Sequence, residues 1–221
     1  MHRILGAFLT GILAAGLAQA HFPFIVPDET GAAAKVVFSD SLDPDPAVKI
    51  EKLDGTKLFL REAGATKDVP LEWRKGEACY ELKLPGTGAR TVFGVTEYGV
   101  LQKGDAKPFR LVYYPKAAIG DATKPVGDPL KVEIVSAASG GKVRFQVLAG
   151  GKPAAEIEAT VILPGDAKQA VKTDKDGFTP GFEKKGRYGV YARASEAKSG
   201  EFAGKKYEEV RSYATLVTDV K

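Results

Sequence analysis

The chain has 221 residues, of which 44% are hydrophobic and 27% charged, the composition of a globular protein with one large or two small domains. Its formal charge of +4 comes from lysines and arginines interleaved with acidic residues, so no basic block offers a nucleic-acid footprint. Twenty-five glycines and thirteen prolines punctuate it at short intervals, which favours strands and turns over long helices.

Met1-His2-Arg3 is a short basic start, and Ile4 to Leu17 is an apolar stretch too short for a comfortable membrane span. Ala18-Gln19-Ala20 then supplies small residues at the spacing of a cleavage site. Residues 1–20 are therefore expected to be an export signal. The mature protein is expected to be periplasmic or secreted, with no stable membrane insertion after cleavage. His21 would open that mature chain and be its one histidine. Its α-amine and imidazole Nδ1 can close a single chelate ring on a metal ion.

His21 to Asp28 is apolar and bracketed by Pro23 and Pro27, as suits an edge strand or an extended segment laid on a core. Pro23 has no backbone N–H, so metal ligation by successive amides cannot run through the third mature position. Ala34 to Phe38 reads as a strand, and the acidic loop after it, with Asp40, Asp43, Asp45 and two prolines, reads as a rigid turn rather than a calcium loop. Val48 to Leu53 and Thr56 to Leu60 flank Asp54-Gly55 and predict a β-hairpin. Strands are expected at Glu72 to Arg74, Ala78 to Leu84, Arg90 to Thr96, Glu97 to Val100 and Phe109 to Ala117. Cys79 has no partner for a disulfide and alternates into the core as a structural thiol. Tyr113 and Tyr114 must face opposite sides of their strand.

Gly120 to Pro129 reads as a linker, which divides the mature chain into residues 21–127 and 128–221. Beyond it, strands are expected at Leu130 to Val135, Lys142 to Leu148, Ile157 to Leu163, Gln169 to Thr173, Gly177 to Phe182, Tyr188 to Ala194 and Tyr207 to Val220. The expected fold is all-β: two consecutive β-sandwich domains, the second immunoglobulin-like or transthyretin-like.

Gly151-Lys152-Pro153-Ala154, Thr173-Asp174-Lys175-Asp176-Gly177 and Lys185-Gly186-Arg187-Tyr188, in that order, resemble the carboxypeptidase-regulatory-like or collagen-adhesin B-type sandwich. A wider set of features spans nearly all of residues 21–221. It comprises His21, Phe22 and Pro27; Gly94 to Gly99 with Pro108 to Ala117; Gly151 to Pro153 with Thr173 to Gly177; and Tyr213 to Leu216. Together they resemble a family of exported bacterial two-domain β proteins filed as domain of unknown function four-one-nine-eight. The resemblance implies a relation to periplasmic accessory proteins of nickel or cobalt uptake. This chain departs from such relatives in having no histidine after His21, with Ser212 where a second imidazole would help.

The expected function is that of an exported soluble binding protein, a nickel or cobalt accessory that anchors the ion on His21, with Tyr114, Glu97 or an acidic side chain completing the site. A metal-uptake transporter or envelope component is the expected partner, and no cofactor besides the nickel or cobalt ion is expected. The alternative is a metal-independent structural or docking module that binds an envelope protein or glycan. Catalysis is not expected. With one mature histidine, a Ser/His/Asp set would need His21 itself, a two-histidine copper brace cannot form, and no glycine-rich phosphate loop follows a strand and opens a helix.

Overall fold

The structure is a computed structural model that describes residues 21–221. The expected export signal, residues 1–20, lies outside them. In chain order the strands are β1 (Phe22–Pro27), β2 (Ala33–Ser39), β3 (Lys57–Glu62), β4 (Val69–Leu71), β5 (Trp73–Lys75), β6 (Cys79–Lys83), β7 (Arg90–Leu101) and β8 (Phe109–Ile119). There follow β9 (Val132–Ser139), β10 (Lys142–Ala149), β11 (Lys152–Pro153), β12 (Glu158–Ile162), β13 (Lys168–Lys172), β14 (Gly186–Glu196), β15 (Gly200–Phe202), β16 (Lys205–Tyr207) and β17 (Glu209–Val220). The fold is all-β, with sheets stacked as sandwiches.

The last strand explains the arrangement. β17 lies parallel to β8, Tyr213 beside Tyr113 and Ala214 beside Tyr114, and it is antiparallel to β14 on its other side. This joins strands from before and after the 120–129 connection into one eight-stranded sheet, ordered β13-β12-β14-β17-β8-β7-β3-β4. Strand alternation then gives that sheet two apolar faces. Phe109, Leu111, Tyr113 and Ala117 of β8 join the core under the four-stranded sheet β1-β2-β6-β5. Val112, Tyr114 and Ala118 join the core under the three-stranded sheet β11-β10-β9, with Ile134, Phe145 and Val147. Two sandwiches thus share a central layer. The boundary expected at 127/128 falls in the coil between β8 and β9, and the central sheet continues across it.

That coil is tied down from inside. Lys116 of β8 and Glu133 of β9 are each only 2% exposed and form a 2.9 Å ion pair. The Glu133 carboxylate also accepts 2.9 Å bonds from the backbone N–H groups of Val126 and Gly127. Burial pulls the Lys116 ammonium below the ordinary lysine range, and the Glu133 charge opposes that pull.

Three expectations need correction. The hairpin around Asp54-Gly55 does not form, because Ile50–Leu53 is a 3₁₀ turn. Ile50 and Leu53 are both buried three residues apart, the spacing that eclipses side chains in a 3₁₀ helix. Glu97 to Val100 is not a separate strand but the end of β7, beyond a bulge between Glu97 and Gly99. Gly177 to Phe182 is not a regular strand; it touches β10 through isolated bridges at Phe178 and Phe182. Before it, Asp174 Oδ1 accepts from the N–H groups of Asp176 and Phe178, so this carboxylate organises a turn.

His21 to Asp28 is the edge strand expected, and Cys79 is buried at 2% exposure, where burial pushes its thiol pKa upward. Gly94 permits close strand packing. A Cβ there would lie 2.8 Å from both the Leu58 side chain and the Lys57 carbonyl oxygen. Gly94→Ala should therefore destabilise the fold by about 1–3 kcal/mol, measured by urea unfolding.

Candidate functional site

His21 stands at the entry to β1, whose start is fixed from both sides. Phe22 pairs with Ser39 of β2, and the Thr215 hydroxyl of β17 donates a 2.7 Å bond to the Pro23 carbonyl. The Phe22 ring stacks on Tyr191 at 4.1 Å and meets Tyr213 at 5.2 Å. The first residues of the described chain are thereby clamped against the central sheet.

Asp45 holds the imidazole. His21 Nε2 lies 2.9 Å from Asp45 Oδ2, while Asp45 Oδ1 accepts from the Ala47 N–H at 2.9 Å. The hydrogen bond from His21, followed by that from Ala47, keeps the Asp45 carboxyl below the usual aspartate range. An ionised carboxylate only accepts, so Nε2 must carry the proton. In the neutral imidazole the basic lone pair then belongs to Nδ1. Metal-binding histidines are commonly oriented in this way, by a carboxylate on the remote ring nitrogen.

Beside His21 lies a cavity of about 530 Å³. Its aromatic wall contains Phe38, Tyr98, Tyr113 and Tyr213. The Tyr98 and Tyr113 rings meet edge-on at 5.5 Å, and Tyr213 lies 5.8 Å from Tyr113. Burial, reinforced by the neighbouring Tyr98 and Tyr213, raises the Tyr113 pKa well above the usual tyrosine value, so its hydroxyl stays a donor. Lys49, Lys52, Lys103 and Arg211 contribute the cationic part of the lining.

His21, Glu97 and Tyr114 are not brought together. Glu97 is opposite Val112 in the β7–β8 ladder, on the face that carries Tyr114 toward the other core. Its carboxylate binds Arg110 at 2.8 and 3.2 Å. Burial, with the Glu97 charge next, raises the Tyr114 pKa. The tyrosine on the His21 side is Tyr113, one residue earlier and so on the opposite face. Among the described residues, no three or more His, Cys, Asp and Glu side chains gather as a metal cluster. The arrangement thus offers the His21 imidazole, oriented by a carboxylate, next to an aromatic, cation-lined cavity. The sequence offers Asp45 only as one of three acids in a proline turn and does not single out Tyr98 or Tyr213. Strand parity at Tyr113 and Tyr114 was the one available signal.

A family match covers residues 18–196, described as a domain of unknown function, DUF4198. The chain belongs to that family. No curated protein matches. Among solved structures, similarity is found to a pullulanase from Anoxybacillus sp. LM18-11 and to the same pullulanase complexed with maltotriose. Each is 15% identical over 84% of this chain, with a TM-score of 0.23. The chain spans only 27% of the length of either pullulanase, a similarity too slight to carry over a fold or an activity. Among the described residues no helix is long and apolar enough to cross a membrane.

Proposed function

We propose that this DUF4198 protein is exported to the periplasm or secreted, and that it binds a nickel or cobalt ion through the α-amine and Nδ1 of His21 once residues 1–20 are removed. The observation that carries the reading is the 2.9 Å contact between His21 Nε2 and Asp45, which puts the ring proton on the nitrogen remote from the chelate. Imidazole suits both ions, so the donor type is appropriate to the cargo. A bidentate anchor leaves the remaining coordination positions to exchangeable ligands. That fits an accessory that hands its metal to a transporter or envelope component better than one that stores it.

The test is calorimetric titration with Ni²⁺ and Co²⁺ of the chain that begins at His21, its start verified by intact mass. The expected result is uptake of one ion per chain, lost in His21→Ala. No uptake, or uptake indifferent to His21→Ala, would sink the proposal.

A further inference from the structure

The cavity beside His21 is poorly suited to a bare divalent cation. None of its lining residues is Asp or Glu, whereas Lys49, Lys52, Lys103 and Arg211 are all part of it. Arg211 is neutralised by Glu209 at 2.9 and 3.0 Å and covers the Phe109 ring at 3.7 Å. The three lysines are exposed at the cavity lining and form no salt bridge among the described residues, although Lys49 also feels the charge of Glu51. Size points the same way. The waters of an aqua ion, at roughly 30 Å³ each, would fill well under half of the cavity's volume of about 530 Å³. Its aromatic wall suits the carbon skeleton of an organic molecule, and the Tyr113 hydroxyl, together with those of Tyr98 and Tyr213, supplies donors for carboxylate oxygens.

Resting on the His21 reading above, we propose that the metal is taken up as an anionic chelate, already held by a small organic polycarboxylate. Carboxylates of the chelator face Lys49, Lys52 and Lys103, its carbon frame lies on Tyr98, Tyr113 and Tyr213, and His21 completes the metal's coordination. The α-amine and Nδ1 displace two waters from the chelated ion, and the α-ammonium gives one proton to solvent. The carboxylates that the protein does not provide thus arrive with the cargo, and the lysines select for their charge.

The two described hydrophobic cores lie within residues 21–221, and near-ultraviolet circular dichroism checks that a chain beginning at His21 is folded. Equilibrium dialysis of that chain against Ni²⁺ alone, citrate alone and the one-to-one nickel–citrate complex reads metal and citrate separately. Nickel and citrate should be retained together in equal amounts, with affinity at least about tenfold above that for either alone. The triple variant Lys49→Glu, Lys52→Glu, Lys103→Glu should lose at least about tenfold in affinity for the complex and none for Ni²⁺ alone. Near-ultraviolet circular dichroism checks that the variant is folded. Nickel bound alone as tightly as the nickel–citrate complex, citrate bound equally well without nickel, or an unchanged triple variant would each overturn the chelate proposal. Of these, nickel bound as tightly alone as with citrate leaves the His21 reading standing. Retention of nickel under neither condition overturns both.

Discussion

Replacing Lys116 with Met should cost the fold about 3–5 kcal/mol, seen as a lower urea midpoint. The substitution leaves a carboxylate that is 2% exposed without its cation, still bound to the N–H groups of Val126 and Gly127. Glu133→Gln should be less damaging, because burial already favours the neutral form of Lys116 and the lysine can release its proton. The double variant Lys116→Met, Glu133→Leu should lose less than the sum of Lys116→Met and Glu133→Leu measured singly, since no charge is left unpaired. It should still fall below the native protein, with the N–H groups of Val126 and Gly127 left without their acceptor. A Lys116→Met variant within about 1 kcal/mol of the native protein would show that the pair does not hold the 120–129 connection in place.

The fold class was legible because the signals were local. Period-two alternation at Arg90 to Thr96 and Phe109 to Ala117, with glycine and proline turns between strands, requires only neighbouring residues. The parallel partnership of β17 with β8 was not legible. It joins segments about a hundred residues apart, and β17 carries the same alternation it would show in a sheet confined to the second half. The Val48 to Leu53 segment failed for a different reason. Its apolar residues at 48, 50 and 53 fit a strand at one step and a 3₁₀ turn at the next, and burial of Ile50 with Leu53 decided the matter.

The site divides in the same way. His21 was recognisable from the cleavage pattern and the scarcity of histidine, and the rule that Tyr113 and Tyr114 face apart is visible in the sequence. Which tyrosine turns toward His21 depends on the register of β8 against β7 and β17, and only the structure supplies it. Asp45 looked like one of three similar acids in a proline turn, until the loop's path brought its carboxylate to His21 Nε2. Glu97 looked available as a ligand because its Arg110 partner lies on the adjacent strand. The same register puts it behind the sheet from His21.

Acetylating the α-amine of a chain that begins at His21 should weaken Ni²⁺ binding by roughly 100-fold, the scale on which a linked second donor strengthens the first. An α-amine has a lower pKa than a lysine ammonium, so acylation near neutral pH reaches it selectively and spares the cationic lining. The modified residue keeps its imidazole and its bond to Asp45 but becomes a monodentate ligand. Blocking the amine is a cleaner test than adding residues. Two residues left ahead of His21 would place the imidazole third and recruit backbone amides, a different chelate that would mask the loss. Asp45→Ala separates orientation from ligation: both nitrogens stay, but the ring loses the partner that keeps the proton on Nε2. It should cost about tenfold in affinity, the lower end for loss of an outer-shell carboxylate. If acetylated and unmodified chains bind Ni²⁺ equally well, the α-amine is not a ligand. If Asp45→Ala binds as tightly as the native chain, the carboxylate does not set the tautomer. The two results together decide whether His21, at the head of the chain, acts as an oriented chelator.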